Sequence, residues 1–344
     1  MNLNRFQNVT NRYAHLRIAI IGDFCLDRYL EVDPNKEEIS IETGLPVHNV
    51  VNVRSQPGGA GTILNNLSAL GVGHIYPVGF CGEDGEGFEL NQALRGRPGV
   101  DPDGFFQTAL RRTFTYCKPL SVFPGRPPRE MSRLDSKNWT PTPALVQGRI
   151  IQAVLKLADA DAFILLDQVD LPETGVVTRK VLASVESISK SRPGLLILAD
   201  SRRGLRDFPP VIFKMNAAEL SALSGSEQKP DVDAINTVAA ALARKHDRPV
   251  FVTLSERGIL GASPEGRVEH VAALPVRGPI DIVGAGDTVT ANLAAALAAG
   301  ATMREAMEMA MAAASIVIHQ LGTTGTASVS QIQTLLDQVV AAPR

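Results

Sequence analysis

Aromatic side chains are scarce in this chain: 5% of 344 residues, with one Trp and 4 Tyr. Little flat surface is left on which unpaired bases could stack. Charge of one sign is missing too, since 34 Lys and Arg against 36 Asp and Glu leave a net charge of -2. Phosphate backbones are gripped by an excess of basic residues, so no nucleic-acid partner is expected. Cysteine is little used: Cys25, Cys81 and Cys117 lie far apart and form neither a CxxC pair nor a Cys/His cluster. An odd count without metal-ligand spacing points to a reducing compartment and away from structural zinc. The N-terminus lacks the apolar core of a secretory signal. Long hydrophobic runs are absent, and the stretch 289–299 falls short of the roughly 20 residues a spanning helix needs. These absences predict a cytoplasmic protein without a membrane partner.

What the chain has is an ordinary globular balance, 44% hydrophobic and 20% charged, at a length that buries a sizeable core. Apolar runs at 17–22, 162–167, 195–200 and 250–254, with a shorter one at 212–215, read as buried parallel strands. Helical periodicity alternates with them over 61–70, 144–158, 173–190, 232–245, 286–299 and 303–320. This βαβ rhythm predicts an α/β fold, a doubly wound sheet covered on both faces, with ligands beyond the carboxyl ends of its strands. Segments 28–54 and 109–135 alternate without a helical period. They are expected to pair as a small projecting sheet, either a lid over a site or an edge for a second subunit. No linker divides the chain, so residues 1–344 read as one domain with a lid.

The richest stretch is Ile282-Val283-Gly284-Ala285-Gly286-Asp287-Thr288, which runs into an Ala-rich helix closed by Gly300. The first amides of a helix lack intrahelical partners and the helix dipole favours an anion there. Gly284 and Gly286 leave the backbone bare for a close approach. Asp287 adds a carboxylate to the same turn. Amides for a phosphoryl group beside a base for a hydroxyl suit phosphoryl transfer. A helix start whose Asp complements the dipole is the plainer alternative.

Four further motifs follow strands. Gly22-Asp23-Phe24-Cys25-Leu26-Asp27 brings two carboxylates that can accept sugar hydroxyls, or serve as turn and solvated acids. Pro57-Gly58-Gly59-Ala60-Gly61 precedes the helix beginning near Thr62 and lets backbone lie against a polyol, or simply turns tightly. Asn216-Ala217-Ala218-Glu219 places two polar groups on one helical face, fit to hold hydrated Mg²⁺ or to form a capping box. Thr253-Leu254-Ser255-Glu256-Arg257-Gly258 offers hydroxyls and an amide for nucleotide phosphates, or an ordinary strand exit.

In order and spacing these motifs resemble the ribokinase-like (PfkB) carbohydrate kinases over residues 16–332. The resemblance implies a three-layer α/β/α fold with a β-sheet lid, ATP and Mg²⁺ as cofactors, and a small sugar or sugar phosphate as acceptor. It implies Asp287 as base, with the amides of Gly284, Ala285 and Gly286 on the transferred phosphoryl. Asn216 and Glu219 would organise Mg²⁺, and Thr253, Ser255 and Gly258 would hold nucleotide phosphates. K⁺ would sit near the backbone of Asp281–Val283, and Asp27, Gly58, Gly59 and Thr62 would face the sugar. A homodimer through the lid is implied as well.

Within that family, Leu26-Asp27-Arg28-Tyr29, Ile39-Ser40-Ile41-Glu42-Thr43-Gly44-Leu45-Pro46-Val47, Ser132-Arg133-Leu134-Asp135 and Leu321-Gly322-Thr323-Thr324 resemble the kinases of D-glycero-β-D-manno-heptose 7-phosphate. Arg28, Arg133, Arg202 and Arg203 are then candidates for a substrate phosphate, because guanidinium forks match phosphate oxygens. Bifunctional members add a nucleotidyltransferase domain, for which this chain is expected to be too short. Departures fall on the pockets: Thr62 stands where the family usually has Asn, Asp167-Gln168 replaces Asp-Tyr, Asp200-Ser201-Arg202 replaces Asp-Pro-Lys, and Met311 replaces an Asn. They leave a kinase for another sugar (fructose, ribose or an aldonate) and a catalytically silent sugar-binding regulator as open alternatives.

Overall fold

Strand and helix formation follow the patterning closely in the computed structural model, which describes residues 1–225 and 231–341. The strands are β1 (Arg17–Gly22), β2 (Phe24–Val32), β3 (Glu38–Ile39), β4 (Pro46–Val47), β5 (Val50–Gly59), β6 (His74–Gly82), β7 (Phe105–Thr108) and β8 (Phe114–Ser121). They continue as β9 (Arg129–Glu130), β10 (Leu134–Ser136), β11 (Ala162–Asp167), β12 (Leu196–Ser201), β13 (Ile212–Asn216), β14 (Val250–Thr253), β15 (Ile259–Ala262) and β16 (Val268–Val271). The helices are α1 (Leu3–Thr10), α2 (Ala60–Ala69), α3 (Gly85–Arg95), α4 (Ala144–Lys156) and α5 (Arg179–Ser191). After them come α6 (Ala217–Ser224), α7 (Val232–His246), α8 (Ala285–Ala298), α9 (Met303–Val317) and α10 (Val329–Ala341).

The main sheet has nine strands in the order β16-β15-β14-β13-β12-β11-β1-β6-β7. β14 through β7 in that order are parallel, and β15 and β16 close one edge antiparallel. Alternate residues of β1 serve opposite cores. Ile18 and Ile20 pack with α2, α8 and α9, whereas Ala19 and Ile21 pack with α4 and α5. The strand order reverses between β1 and β11, which puts the crevice for a ligand beyond the carboxyl ends of β1, β11 and β12.

The small sheet runs β10-β8-β2-β5, with β9 on β8, and β3 and β4 form a separate two-stranded ribbon. β2 leaves β1 after a single residue, Asp23, so this sheet begins at Phe24 and its second strand returns at Gly59. The two crossings are joined, since the Ala60 amide donates to Asp23 O at 3.1 Å. Gly59 takes φ +56°, and a Cβ there would lie 2.7 Å from Asp23 O, so no side chain fits at this return.

The helix expected over 173–190 starts only at Arg179. Asp23 explains the delay: its carboxylate accepts from the amides of Gln168 at 2.8 Å and Val176 at 2.7 Å. That clamp holds 168–176 as a loop until Thr178 caps α5. The helix expected to reach residue 320 ends at Val317, where Ile318 O turns to accept the Asp281 amide at 2.7 Å.

Candidate active site

Helix α8 is buried along Thr288–Ala296, with alanines that let α2 and α9 approach closely. Its entry is fixed by Gly284, whose φ of +82° is left-handed and whose Cβ would meet Thr324 Cβ at 3.1 Å. The Ala285 amide turns back to Ile282 O at 3.2 Å, and the first intrahelical bond runs from the Thr288 amide to Gly284 O at 2.9 Å. Between them the Gly286 and Asp287 amides belong to the unpaired first turn. Asp287 lines a cavity of about 380 Å³ between the two sheets. Withdrawal from water, then the nearby Asp200 carboxylate, push its pKa up to about 7 against the pull of Lys214 and Arg202. That value suits a group that must take a proton near neutrality.

The floor comes from the ends of β12 and β13. Lys214 Nζ lies 2.6 Å from Asp200 Oδ2, both buried, and Thr290 donates to the same oxygen at 2.9 Å. Asn216 and Glu219 close a capping box on α6: Asn216 Oδ1 accepts from the Glu219 amide at 2.9 Å and Glu219 Oε2 from the Asn216 amide at 2.7 Å. Both still line the cavity, and burial raises the Glu219 pKa. A capping box and a face toward a hydrated cation are thus compatible here, because the box leaves Glu219 Oε1 and the second lone pair of Asn216 Oδ1 unused.

The roof is the small sheet. Asp27 on β2 is buried, which raises its pKa, while Lys118 on β8, 3.5 Å away, opposes the rise. Gly58 is bare because a Cβ would lie 2.5 Å from Asp27 Oδ2. Tyr116 stands under Arg133, 5.0 Å from guanidinium to ring centre, and Arg133 also pairs with Asp135 at 3.0 Å. With its amide oriented to satisfy both groups, Gln168 accepts from Arg202 Nε at 3.0 Å and Nη2 at 3.1 Å.

One cavity therefore brings together Asp27, Gly59, Thr62, Arg133 and Arg202 with Asn216, Glu219, Val283, Gly284, Gly286 and Asp287. Other expected residues lie off its wall. Arg28 is held by Glu86 and Glu89 at 2.9 Å each, and Arg203 by Asp167 at 2.6 Å, so both guanidinium groups have carboxylate partners of their own. Thr253 pairs with Asn216 across β13 and β14 and donates to Met215 O at 3.4 Å. Ser255 at φ +54° and Gly258 at φ +95° form the turn after β14. The Asp281 carboxylate accepts from the Val283 amide at 3.0 Å and the Gly322 amide at 3.2 Å, and the Ile282 carbonyl from the Ala285 amide, so among the described residues the Asp281 and Val283 carbonyl oxygens accept no hydrogen bond. Met311 is packed in the core.

Lys118, Tyr116 and Lys214 also line the cavity and are not among the residues the motifs single out. Lys214 carried a signal, being a lone cation inside the otherwise apolar Ile212-Phe213-Lys214-Met215. Lys118 and Tyr116 carried none, since their relation to Asp27 exists only through the parallel pairing of β2 with β8.

A nine-stranded sheet with a lid and a carboxylate at a helix entry defines a class of kinases. Ribokinase from Arabidopsis thaliana, solved with ribose and ATP, superposes with a TM-score of 0.69 at 20% identity over 93% of this chain and 98% of that one. Phosphofructokinase-2 from Escherichia coli, solved with substrates and products, gives 0.72 at 19% identity over 94% and 99%. The model of the pfkB family carbohydrate kinases matches residues 197–329. The bifunctional protein HldE of Hyphomonas neptunium is 30% identical over 346 residues, 99% of this chain and 67% of its own length. That of Gluconacetobacter diazotrophicus is 31% identical over 325 residues, 93% of this chain and 63% of its own length. The chain belongs to the pfkB family of carbohydrate kinases, and it spans about two thirds of the length of these relatives.

Proposed function

We propose that residues 1–344 form one kinase domain that transfers the γ-phosphoryl of ATP to a hydroxyl of D-glycero-β-D-manno-heptose 7-phosphate, giving the 1,7-bisphosphate. The observation that carries the phosphotransfer is Asp287, set at the entry of α8 and facing the buried Asp27 and Lys118 across one cavity. The acceptor oxygen attacks the γ-phosphorus, its proton passes to Asp287, and the bond to the β,γ-bridging oxygen breaks to release ADP. Such a loose transition state needs the proton late, so holding the acceptor matters more than a strong base. Amides of the Gly284–Gly286 turn take up charge on the phosphoryl oxygens. Asp27, Gly58, Gly59 and Thr62 orient the sugar; Arg133 and Arg202 face its phosphate, while Arg28 and Arg203 stabilise the surrounding elements.

Asn216 and Glu219 would hold hydrated Mg²⁺, which fits a floor where three carboxylates, Asp200, Glu219 and Asp287, outnumber two cations, Lys214 and Arg202. When bound, the ion neutralises phosphate charge. Thr253, Ser255 and Gly258 lie one strand beyond and would reach only the far phosphates of the nucleotide. The carbonyls of 281–283 suit a monovalent cation, and the Escherichia coli phosphofructokinase-2 has been solved with potassium. The exposed Ile39, Ile41 and Leu45 of the lid ribbon support a homodimer through the lid. A cytoplasmic site is inferred from the three scattered cysteines, and, separately, no described helix is long and apolar enough to cross a membrane.

The heptose phosphate is favoured by the lid pattern and the HldE relatives. A different sugar is the second reading, supported by Thr62, whose buried hydroxyl has no partner among the described residues and lies at the cavity wall. Phosphorus NMR of heptose 7-phosphate incubated with Mg-ATP separates them. A second phosphate signal on the sugar supports the first reading; an unchanged monophosphate, beside another sugar that gains a signal, rejects it.

A further inference from the structure

Lys214 is a buried cation that the phosphotransfer scheme leaves without a task. It is 6% exposed on an inner strand of the main sheet, where an unpaired ammonium would be strongly destabilising. Asp200 at 2.6 Å provides the pair, and Asp200 is itself tied to α8 through Thr290, whose hydroxyl also lies 3.1 Å from Gly286 O. Three elements therefore fix the ammonium beneath the first turn of α8. An ammonium has three N–H donors. Asp200 takes one, and among the described residues no second acceptor lies within hydrogen-bonding distance. The side chain nevertheless lines the cavity.

Gly286 makes an independent point. Its φ is not positive, so the helix does not require glycine there. A Cβ at this position would meet only Lys214 Nζ, at 3.4 Å, an ordinary contact, so the protein alone does not require it either. A small space is kept between the helix amides and a charged nitrogen with unused donors. Its occupant must be an anion rich in acceptors.

We propose that Lys214 is a catalytic residue whose ammonium grips the transferred phosphoryl group from below, opposite the α8 amides, with Gly286 bare to admit that group. The proposal rests on the phosphotransfer reading. Burial pulls the Lys214 pKa down, but Asp200 and further carboxylates, Asp287 and Glu219, more than offset it and keep the group charged. The competing role is a counter-ion for Asp200 that never touches ligand.

Calorimetric titration with Mg-ADP and with the Mg complex of a non-hydrolysable ATP analogue distinguishes the two roles. The wild type should bind both. Lys214→Met should lose about 10- to 100-fold in affinity for the analogue, as expected for one charged hydrogen bond, with ADP little changed. Lys214→Arg should recover part of the loss, and Gly286→Ala should weaken the analogue selectively. Should Lys214→Met fold poorly, the Asp200→Asn/Lys214→Met pair removes both buried charges and keeps the comparison. Equal loss for both nucleotides, or loss for neither, overturns the proposal and leaves Lys214 a counter-ion. A wild type that binds neither nucleotide overturns the phosphotransfer reading and this proposal with it.

Discussion

At the scale of single residues the account turns on Asp287, whose pKa is lifted to about 7 by loss of water and by Asp200. As a base it must be ionised, so turnover should rise with pH through about 7 and flatten above it, and Asp287→Asn should lose at least ~10³-fold in kcat. The same shift acts on stability. A carboxyl whose folded pKa exceeds its unfolded value stabilises the fold at low pH, and that contribution is lost as pH rises from about 4 through about 7. Above pH 7 the charged Asp287 is therefore a liability, and Asp287→Asn should raise Tm at pH 8, by roughly 1–2 kcal/mol of stability, with little gain at pH 5. Equal gains at both values would contradict the shift. Asp27 makes a complementary test: Asp27→Asn should raise the KM for the acceptor about tenfold or more and change nucleotide affinity little, measured by initial rates. Asp27 and Asp287 were readable in the sequence because each follows a strand or opens a helix, where ligands of such sheets sit. Lys118 and Tyr116 were not, because a residue on β8 becomes a neighbour of Asp27 only when two segments about ninety residues apart pair.

At the scale of elements, the lid and the body meet at Asp23 and Gly59. Gly59→Ala would place a methyl 2.7 Å from Asp23 O in a backbone region few side chains enter. A loss of about 2–4 kcal/mol is expected by denaturant titration. Gly44, at φ +70° with nothing within 4 Å of its Cβ position, serves as the control, and Gly44→Ala should cost only about 1 kcal/mol. Similar costs at both sites would mean that the crossing at Gly59 is not as tight as described. Strands β1, β11, β12, β13 and β14 are legible as short continuous apolar runs, and the helices over 61–70, 144–158, 232–245 and 286–299 as apolar residues of period 3.6. The segment 173–178 departs from its pattern, since its periodicity continues that of α5 while its Val176 amide is claimed by the distant Asp23 carboxylate. Strands β6, β15 and β16 and the helix α3 are not legible: Pro77 and Gly79 interrupt the apolar run of β6, β15 is four residues long and contains Gly261, and β16 and α3 are half-exposed and alternate too weakly to stand out from loops.

For the molecule as a whole, the lid closes one side of the cavity and leaves Ile39, Leu45 and the outermost Ile41 in solvent. Ile41→Asp with Leu45→Asp should convert the dimer proposed for the wild type to monomer in sedimentation velocity with the fold intact; a sedimentation coefficient equal to that of the wild type would remove the lid as an interface. In the reaction proposed here, body and lid act on one event, the meeting of an acceptor hydroxyl held under the lid with a phosphoryl group held at α8. The most direct test is acceptor-dependent release of ADP from Mg-ATP in the presence of K⁺, with heptose 7-phosphate set beside fructose, ribose and aldonates. The account predicts release that requires the heptose phosphate and vanishes in Asp287→Asn. Release that no acceptor stimulates, or that survives in Asp287→Asn, would contradict it.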